Sequence, residues 1–194
     1  MDRSALGALI GQTGPVAPSH RSVTTPKCGV VVEIPEAELV VGQHRLRLDS
    51  SAAGGLPAHV TVIFPFVQEH ELDRDVVSRL ARAVATVPAF RYRFEHTKWF
   101  GSRVLWLAPD DSEPFANLTH AVLSEFPDLE PYNGEVTEII PHLTVGYDRE
   151  LAELQEAETA LQLEPAVVGE ASTVVVMCAG SDGVWQRRLT LPLG

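Results

Sequence analysis

Twice in this chain an alternation of apolar and polar residues is built around a His-x-Thr triplet. The first stretch is Pro57-Ala58-His59-Val60-Thr61-Val62-Ile63-Phe64. The second, 83 positions later counting from His59 to His142, is Pro141-His142-Leu143-Thr144-Val145-Gly146-Tyr147. Alternation at period two is the pattern of a half-buried β-strand. In the first stretch Ala58, Val60, Val62, Phe64 and Phe66 fall on one face, and His59 and Thr61 on the other. In the second, Leu143, Val145 and Tyr147 oppose His142, Thr144 and Gly146. Each strand therefore offers one imidazole and one hydroxyl, away from its apolar row. Two such strands side by side put two His and two Thr in one groove. A third near-match, His20-Arg21-Ser22, lacks the apolar frame and lies in a polar stretch.

Such a groove has a definite chemistry. Two imidazoles of near-neutral pKa can act as general base and general acid in a single step. A cyclic phosphodiester suits the pair: one His takes a proton from attacking water, and the other protonates the departing sugar oxygen. The Thr hydroxyls can donate hydrogen bonds to phosphate oxygens as charge develops. Two His with two Thr, and no neighbouring carboxylate or Cys cluster, make a poor zinc site. No metal or other cofactor is expected.

The wider sequence narrows the partners. A chain of 194 residues fits one domain or two small lobes. A net charge of −11 argues against wrapping long nucleic acid. It leaves room for a small nucleotide or one RNA end in a local pocket. Cys28 and Cys178 are too few for a disulfide framework and read as buried small apolar residues. No segment approaches the ~20 apolar residues of a membrane span, and the N-terminus does not read as a secretory leader. A cytoplasmic monomer is the expectation.

In chain order, residues 1–27 read as an N-terminal extension rich in Gly, Pro, Ser and Thr, with a short helix at 3–10. Residues 28–194 read as one bilobal domain. A continuous β-branched run at 28–34 predicts a strand buried on both faces. At 36–48, Ala37, Val40, Val41, His44 and Leu48 fit a helical face, and 50–57 reads as a glycine-rich loop. Asp73 caps a predicted helix to Val87 whose Arg74, Arg79 and Arg82 read as solvated. Strands follow at 90–100 and 104–108, turning at Gly101-Ser102, then a helix from Asp111 or Ser112 to Phe126 with Pro114 in its first turn. A loop at 127–134 carries Tyr132. After the second motif strand, Asp148 caps a helix to Leu163. Two last strands, 166–178 and 184–193, are joined by the turn Ser181-Asp182-Gly183. Each half thus carries a motif strand, a following helix and further strands. That weak duplication predicts an α+β fold of two similar lobes.

The residues around His59-Val60-Thr61 and His142-Leu143-Thr144 resemble the two-histidine (2H) phosphoesterases, in particular the 2′-5′ RNA ligase-like branch. The resemblance spans roughly residues 29–193. It implies two lobes whose antiparallel sheets line a central cleft, with helices on the outer faces. It also implies a 2′,3′-cyclic phosphodiesterase that opens the ring to a 2′-phosphate, with His59, Thr61, His142 and Thr144 as catalytic residues. The alternatives are 2′-5′ RNA ligation and a non-catalytic module that binds nucleotides or RNA ends. The implied partner is a small nucleotide or an RNA 3′ end carrying a cyclic phosphate. A base needs an aromatic platform. Phe66 and Trp106 lie in apolar rows and read as core, so Trp99 and Tyr132, near turns, are the candidates. Arg103, with Lys98, flanks the strand turn and could attract phosphate. Gly54-Gly55 lacks the Lys of a phosphate-cradling loop, and His96 and His120 read as surface or packing residues.

Overall fold

The structure is a computed structural model that describes residues 28–134 and 139–194; the expected extension at 1–27 lies outside the described residues. Eight strands and five α-helices are described. The strands are β1 Cys28–Glu33, β2 His59–Ile63, β3 Phe90–Phe100, β4 Val104–Pro109, β5 Leu143–Tyr147, β6 Val167–Ala171, β7 Thr173–Ala179 and β8 Trp185–Pro192. The helices are α1 Glu38–Leu48, α2 Ser50–Ala53, α3 Arg74–Val84, α4 Glu113–Glu125 and α5 Leu151–Leu161. The strands form two antiparallel sheets, β2-β1-β7-β8 and β5-β4-β3-β6. This is the α+β architecture of two lobes expected from the internal duplication.

Each motif strand is the edge of its sheet, and β2 and β5 lie against each other where the lobes meet. The helices cross over. Helices α1 and α5 pack on the second sheet, whereas α3 and α4 pack together over the first. Of the arginines expected to be solvated on α3, Arg74 and Arg82 are exposed, while Arg79 is half-buried; Arg79 Nε and Arg82 Nη2 reach Glu125 Oε1 of α4 at 3.0 and 3.1 Å. Asp73 caps α3 as expected, accepting from the Val76 amide at 2.9 Å. One continuous apolar cluster joins the two lobes, from Val30 and Val60 through Leu80 and Phe115 to Leu143 and Leu154.

Other expectations are corrected. The stretch read as a single strand at 166–178 breaks at Ser172 into β6 and β7, and the two pieces join different sheets. The last two strands thereby complete the first lobe, so the lobes do not coincide with the halves of the sequence. Residues 50–53 form a short helix, capped by the Asp49 carboxylate on the Ser51 amide at 2.9 Å. Asp148 does not cap α5; it forms an ion pair with Arg103, and Glu150 holds the cap position. Cys28 and Cys178 are fully buried, but they face each other across β1 and β7 and form a disulfide, S–S 1.84 Å. Directly opposed residues on antiparallel strands bring their Cβ atoms within reach. No helix among the described residues is long and apolar enough to cross a membrane.

Candidate active site

Alternation carries each motif strand only as far as its Thr. Beyond it, both strands slip by one residue. In β2 the register runs from Val31↔Thr61 to Val30↔Ile63, skipping Val62. In β5 it runs from Trp106↔Thr144 to Leu105↔Gly146, skipping Val145. A bulge of this kind puts two successive residues on the same side and reverses the parity of the residues after it. Val62 and Ile63 both turn into the core, and Phe64 swings to the cleft. Val145 and Gly146 do the same in β5, and Tyr147 joins the cleft. Phe64 and Tyr147, expected on the apolar faces, therefore stand beside the two His–Thr pairs. The repeated unit is His-x-Thr-x-x-aromatic, at 59/61/64 and 142/144/147. The first bulge is held from outside its strand: buried Thr119 of α4 donates its hydroxyl to the Val62 carbonyl at 2.8 Å.

His59, Thr61, His142 and Thr144 line one cleft, which encloses about 800 Å³ counting its open mouth. The two imidazoles are held alike. His59 Nδ1 lies 2.7 Å from the Pro57 carbonyl, and His142 Nδ1 lies 2.6 Å from the Ile140 carbonyl. A carbonyl only accepts, so each Nδ1 carries the proton. In the neutral ring Nε2 is then the basic nitrogen. His142 stands edge-on to Phe100 and Trp106, with centroids at 5.0 and 5.8 Å, and those two rings stack on each other at 4.7 Å.

His59 is a weak base in this setting. Burial is the main cause, and the Arg45 guanidinium adds to it. The hydrogen bond to Pro57 and the Asp49 carboxylate oppose them, while His142 lowers the value further; the pKa is pushed down from 6.5 to about 4. Between those values the unfolded chain binds more protons than the folded one. Stability is therefore lost as pH falls through this window, by up to about 3 kcal/mol. Thermal melts at pH 7, 5 and 4 check this. The His59→Gln protein is expected to lose less of its Tm across the window than the parent protein.

Around this centre the walls differ. The first lobe contributes Phe64 and Trp185, ring centroids 6.0 Å apart, above Val31 and Leu56. The second contributes Phe100, Val104 and Tyr147. Tyr132 enters from the loop before β5. Its amide donates to the Phe64 carbonyl at 2.7 Å, its backbone is left-handed (φ 53), and its ring lines the cleft with Thr61. Burial, partly offset by the neighbouring Thr61, pushes the phenol up to about 12, so it keeps its proton at neutral pH. Asp49, Ser50 and Ser51 close one side, and Asp49 is the one formally charged residue among the described residues lining the cleft.

Of the predicted binding residues, only Tyr132 lies in this wall. Trp99 points to the other face of β3, where its indole N–H donates to Glu158 of α5 at 2.7 Å. Its neighbour Phe100 faces the cleft, as strand alternation requires. Arg103 is paired with Asp148 on the surface, and Lys98 sits over the Trp106 ring at 5.8 Å. Phe66 and Trp106 are buried, as read from their rows. Sequence reasoning misses Phe64, Phe100, Tyr147, Trp185 and Asp49. Only the shared spacing of Phe64 and Tyr147 after their Thr residues offers a signal. Among the described residues no three His, Cys, Asp or Glu side chains cluster as metal ligands.

Comparison with known proteins agrees with this geometry. No curated protein sequence matches the chain. Among solved structures, LigT of E. coli complexed with 3′-AMP superposes with a TM-score of 0.54 at 12% identity, covering 86% of this chain and 97% of that one. TT0787 of Thermus thermophilus gives 0.57 at 16% identity, covering 86% and 97%. LigT complexed with ATP gives 0.54 at 14%, covering 87% and 98%. At these identities the likeness is one of fold. The model of the 2′-5′ RNA ligase superfamily matches residues 33–180. With both motifs inside that span, the chain belongs to the 2′-5′ RNA ligase superfamily of two-histidine phosphoesterases.

Proposed function

We propose that this protein is a metal-independent cyclic phosphodiesterase that opens 2′,3′-cyclic phosphates of small nucleotides or RNA ends to 2′-phosphates. The observation that carries the reading is the matched pair of imidazoles. Each is held through Nδ1 by the carbonyl two residues back, and each has a Thr hydroxyl two residues on. One Nε2 accepts a proton from water as its oxygen attacks phosphorus. The bond from phosphorus to the ring's 3′ oxygen breaks, and that oxygen takes a proton from the other imidazole. The two rings end with exchanged protonation states, which bulk water resets. Thr61 and Thr144 hydroxyls donate to the non-bridging oxygens, where negative charge builds.

The lining also fits a singly charged diester. It carries two histidines, hydroxyls and one carboxylate, so a dianionic product is less welcome than the monoanionic substrate. Tyr132 is proposed as a substrate donor, its protonated phenol placed beside Thr61. The Tyr132→Phe protein is expected to raise KM about ten-fold, the scale of one hydrogen bond to a charged group. Steady-state kinetics of the two proteins checks this; an unchanged KM removes Tyr132 from the binding role. Trp99 and Arg103 have no part in this proposal, because both are engaged outside the cleft. We place the chemistry in the cytoplasm and in a monomer. Thiols are kept reduced there, which sets the Cys28–Cys178 disulfide of the structure against this placement, so the state of the two cysteines in cell extract is a direct check on the location.

The deciding experiment offers the four nucleoside 2′,3′-cyclic monophosphates, and a short RNA ending in a cyclic phosphate, to the protein. Products are followed by phosphorus NMR. A 2′-phosphate product supports the proposal. Joining of RNA ends without hydrolysis would favour the ligase reading, and saturable binding without product would favour a binding module.

A further inference from the structure

Helix α1 buries a charge where its pattern calls for a leucine. Its inner face runs Val41, Arg45, Leu48, and Arg45 is 1% exposed, deeper than any other charged side chain among the described residues. Arg45 Nη2 bonds Asp49 Oδ2 at 2.9 Å, and Nη1 lies 3.8 Å from Glu38 Oε1. Both carboxylates are also tied to the backbone around the cleft. Glu38 Oε1 accepts from the amide of Ala58, the residue before His59. Asp49 Oδ1 accepts from the Ser51 amide, at the cleft wall.

Stability gives little account of this arrangement. A buried ion pair is commonly no better than packed apolar residues in its place. Arg45 Nε, moreover, has no hydrogen-bond partner among the described residues. A local rule broken at the edge of a reactive site is a sign of function.

We propose that Arg45 is a positioning residue for His59, the hub of a Glu38–Arg45–Asp49 relay that fixes the backbone entering β2. Its fork is what makes this workable, since one guanidinium can hold two carboxylates at once and a lysine ammonium cannot do so in the same geometry. The titratable and charged groups that face His59 are Arg45 of α1, Asp49 at the α1–α2 junction and His142 before β5. Thr61, Thr144 and the protonated Tyr132 complete the surround without formal charge. Arg45 and Asp49 act on the ring in opposite senses, and Arg45 is the stronger of the two. Burial is the main reason His59 stays neutral at neutral pH; the relay adds to it while holding its strand in place.

The experiment is a proton NMR titration of the His59 ring, assigned by its absence from the His59→Gln protein, with steady-state kinetics alongside. Arg45→Met is expected to raise the midpoint by about one unit or more. The double variant Arg45→Met/Asp49→Asn, which removes the buried Asp49 charge together with the cation, is expected to raise it by less. Arg45→Lys keeps the charge and is expected to titrate like the parent, yet lose about ten-fold or more in kcat with KM little changed, because the bridge is broken. The limb of the pH–rate profile that moves with the titration then says whether His59 works as acid or base. If Arg45→Met does not fold, the double variant decides. An unmoved midpoint in the double variant, or full kcat in Arg45→Lys, overturns the proposal. The kinetic arm rests on the phosphodiesterase reading and the titration does not. A protein inert on every cyclic phosphate therefore fails that reading while the titration still reports on Arg45.

Discussion

Replacing His59 or His142 by alanine is expected to lower kcat on a nucleoside 2′,3′-cyclic phosphate by about 10²–10⁴-fold, the contribution of a positioned general acid or base. In the proposed mechanism the two imidazoles act in one step on opposite sides of phosphorus, so either loss would stall the same transition state. The double variant is accordingly expected to be little slower than the worse single one, as for residues that work as a unit. KM should change less than kcat, since Thr61, Thr144 and Tyr132 still line the cleft. Turnover is also expected to continue in excess EDTA. Single-turnover rates of the four proteins, with and without chelator, check all of this. Near-parental activity of the His59→Ala protein would end the two-histidine reading for this chain. Loss of activity in EDTA would end the metal-independent one.

The largest expected effect on stability comes from a residue with no side chain. Gly146 occupies the bulge of β5, where its α-carbon meets α1 and α5. A Cβ there would stand 2.5 Å from Leu154 Cδ2 and 2.9 Å from Leu48 Cβ. Leu154 could rotate its end away, but Leu48 Cβ is fixed to the α1 backbone. Gly146→Val is therefore expected to cost about 1–3 kcal/mol or more by overpacking. At about 2–4 °C per kcal/mol for a chain of this size, the melting temperature should fall by about 2–12 °C. The substitution acts on function too. Moving α1 disturbs Arg45 and Asp49, and straightening the bulge turns Tyr147 out of the cleft. Gly146→Ala should show the same effects in milder form. A Gly146→Val protein with parental Tm and kcat/KM would mean that the bulge is free to relax, contrary to this account.

Much of the fold was legible because its signals are local. Alternation marked β2 and β5 as strands and placed His59, Thr61, His142 and Thr144 on their polar faces. Asp73 and Pro114 stand at helix starts as their backbone chemistry favours. Gly183 takes the positive φ of the turn between β7 and β8. The paired motif was sufficient to assign the superfamily. All of this depends on residues a few positions apart, and periodicity reads such relations directly.

What only the tertiary structure decided depends on partners far away in the chain. The slip after each Thr, which turns Phe64 and Tyr147 into the cleft, depends on hydrogen bonds to β1 and β4. At β2 it also depends on the Thr119 hydroxyl, 57 positions from the carbonyl it holds. Trp99 and Phe100 are equally aromatic neighbours, and the position of Glu158 on α5 gives the first of them a partner away from the cleft. Cys28 and Cys178 meet through a pairing of strands 150 residues apart. Arg45 is tolerated in the interior because two carboxylates are brought to it, one of which also holds the strand that carries His59. The sequence by itself determined which residues could do the chemistry, because residue type and alternation are properties of a short segment. The tertiary structure decided what surrounds them, because burial, register and charge pairing arise only when distant segments compete for the same space.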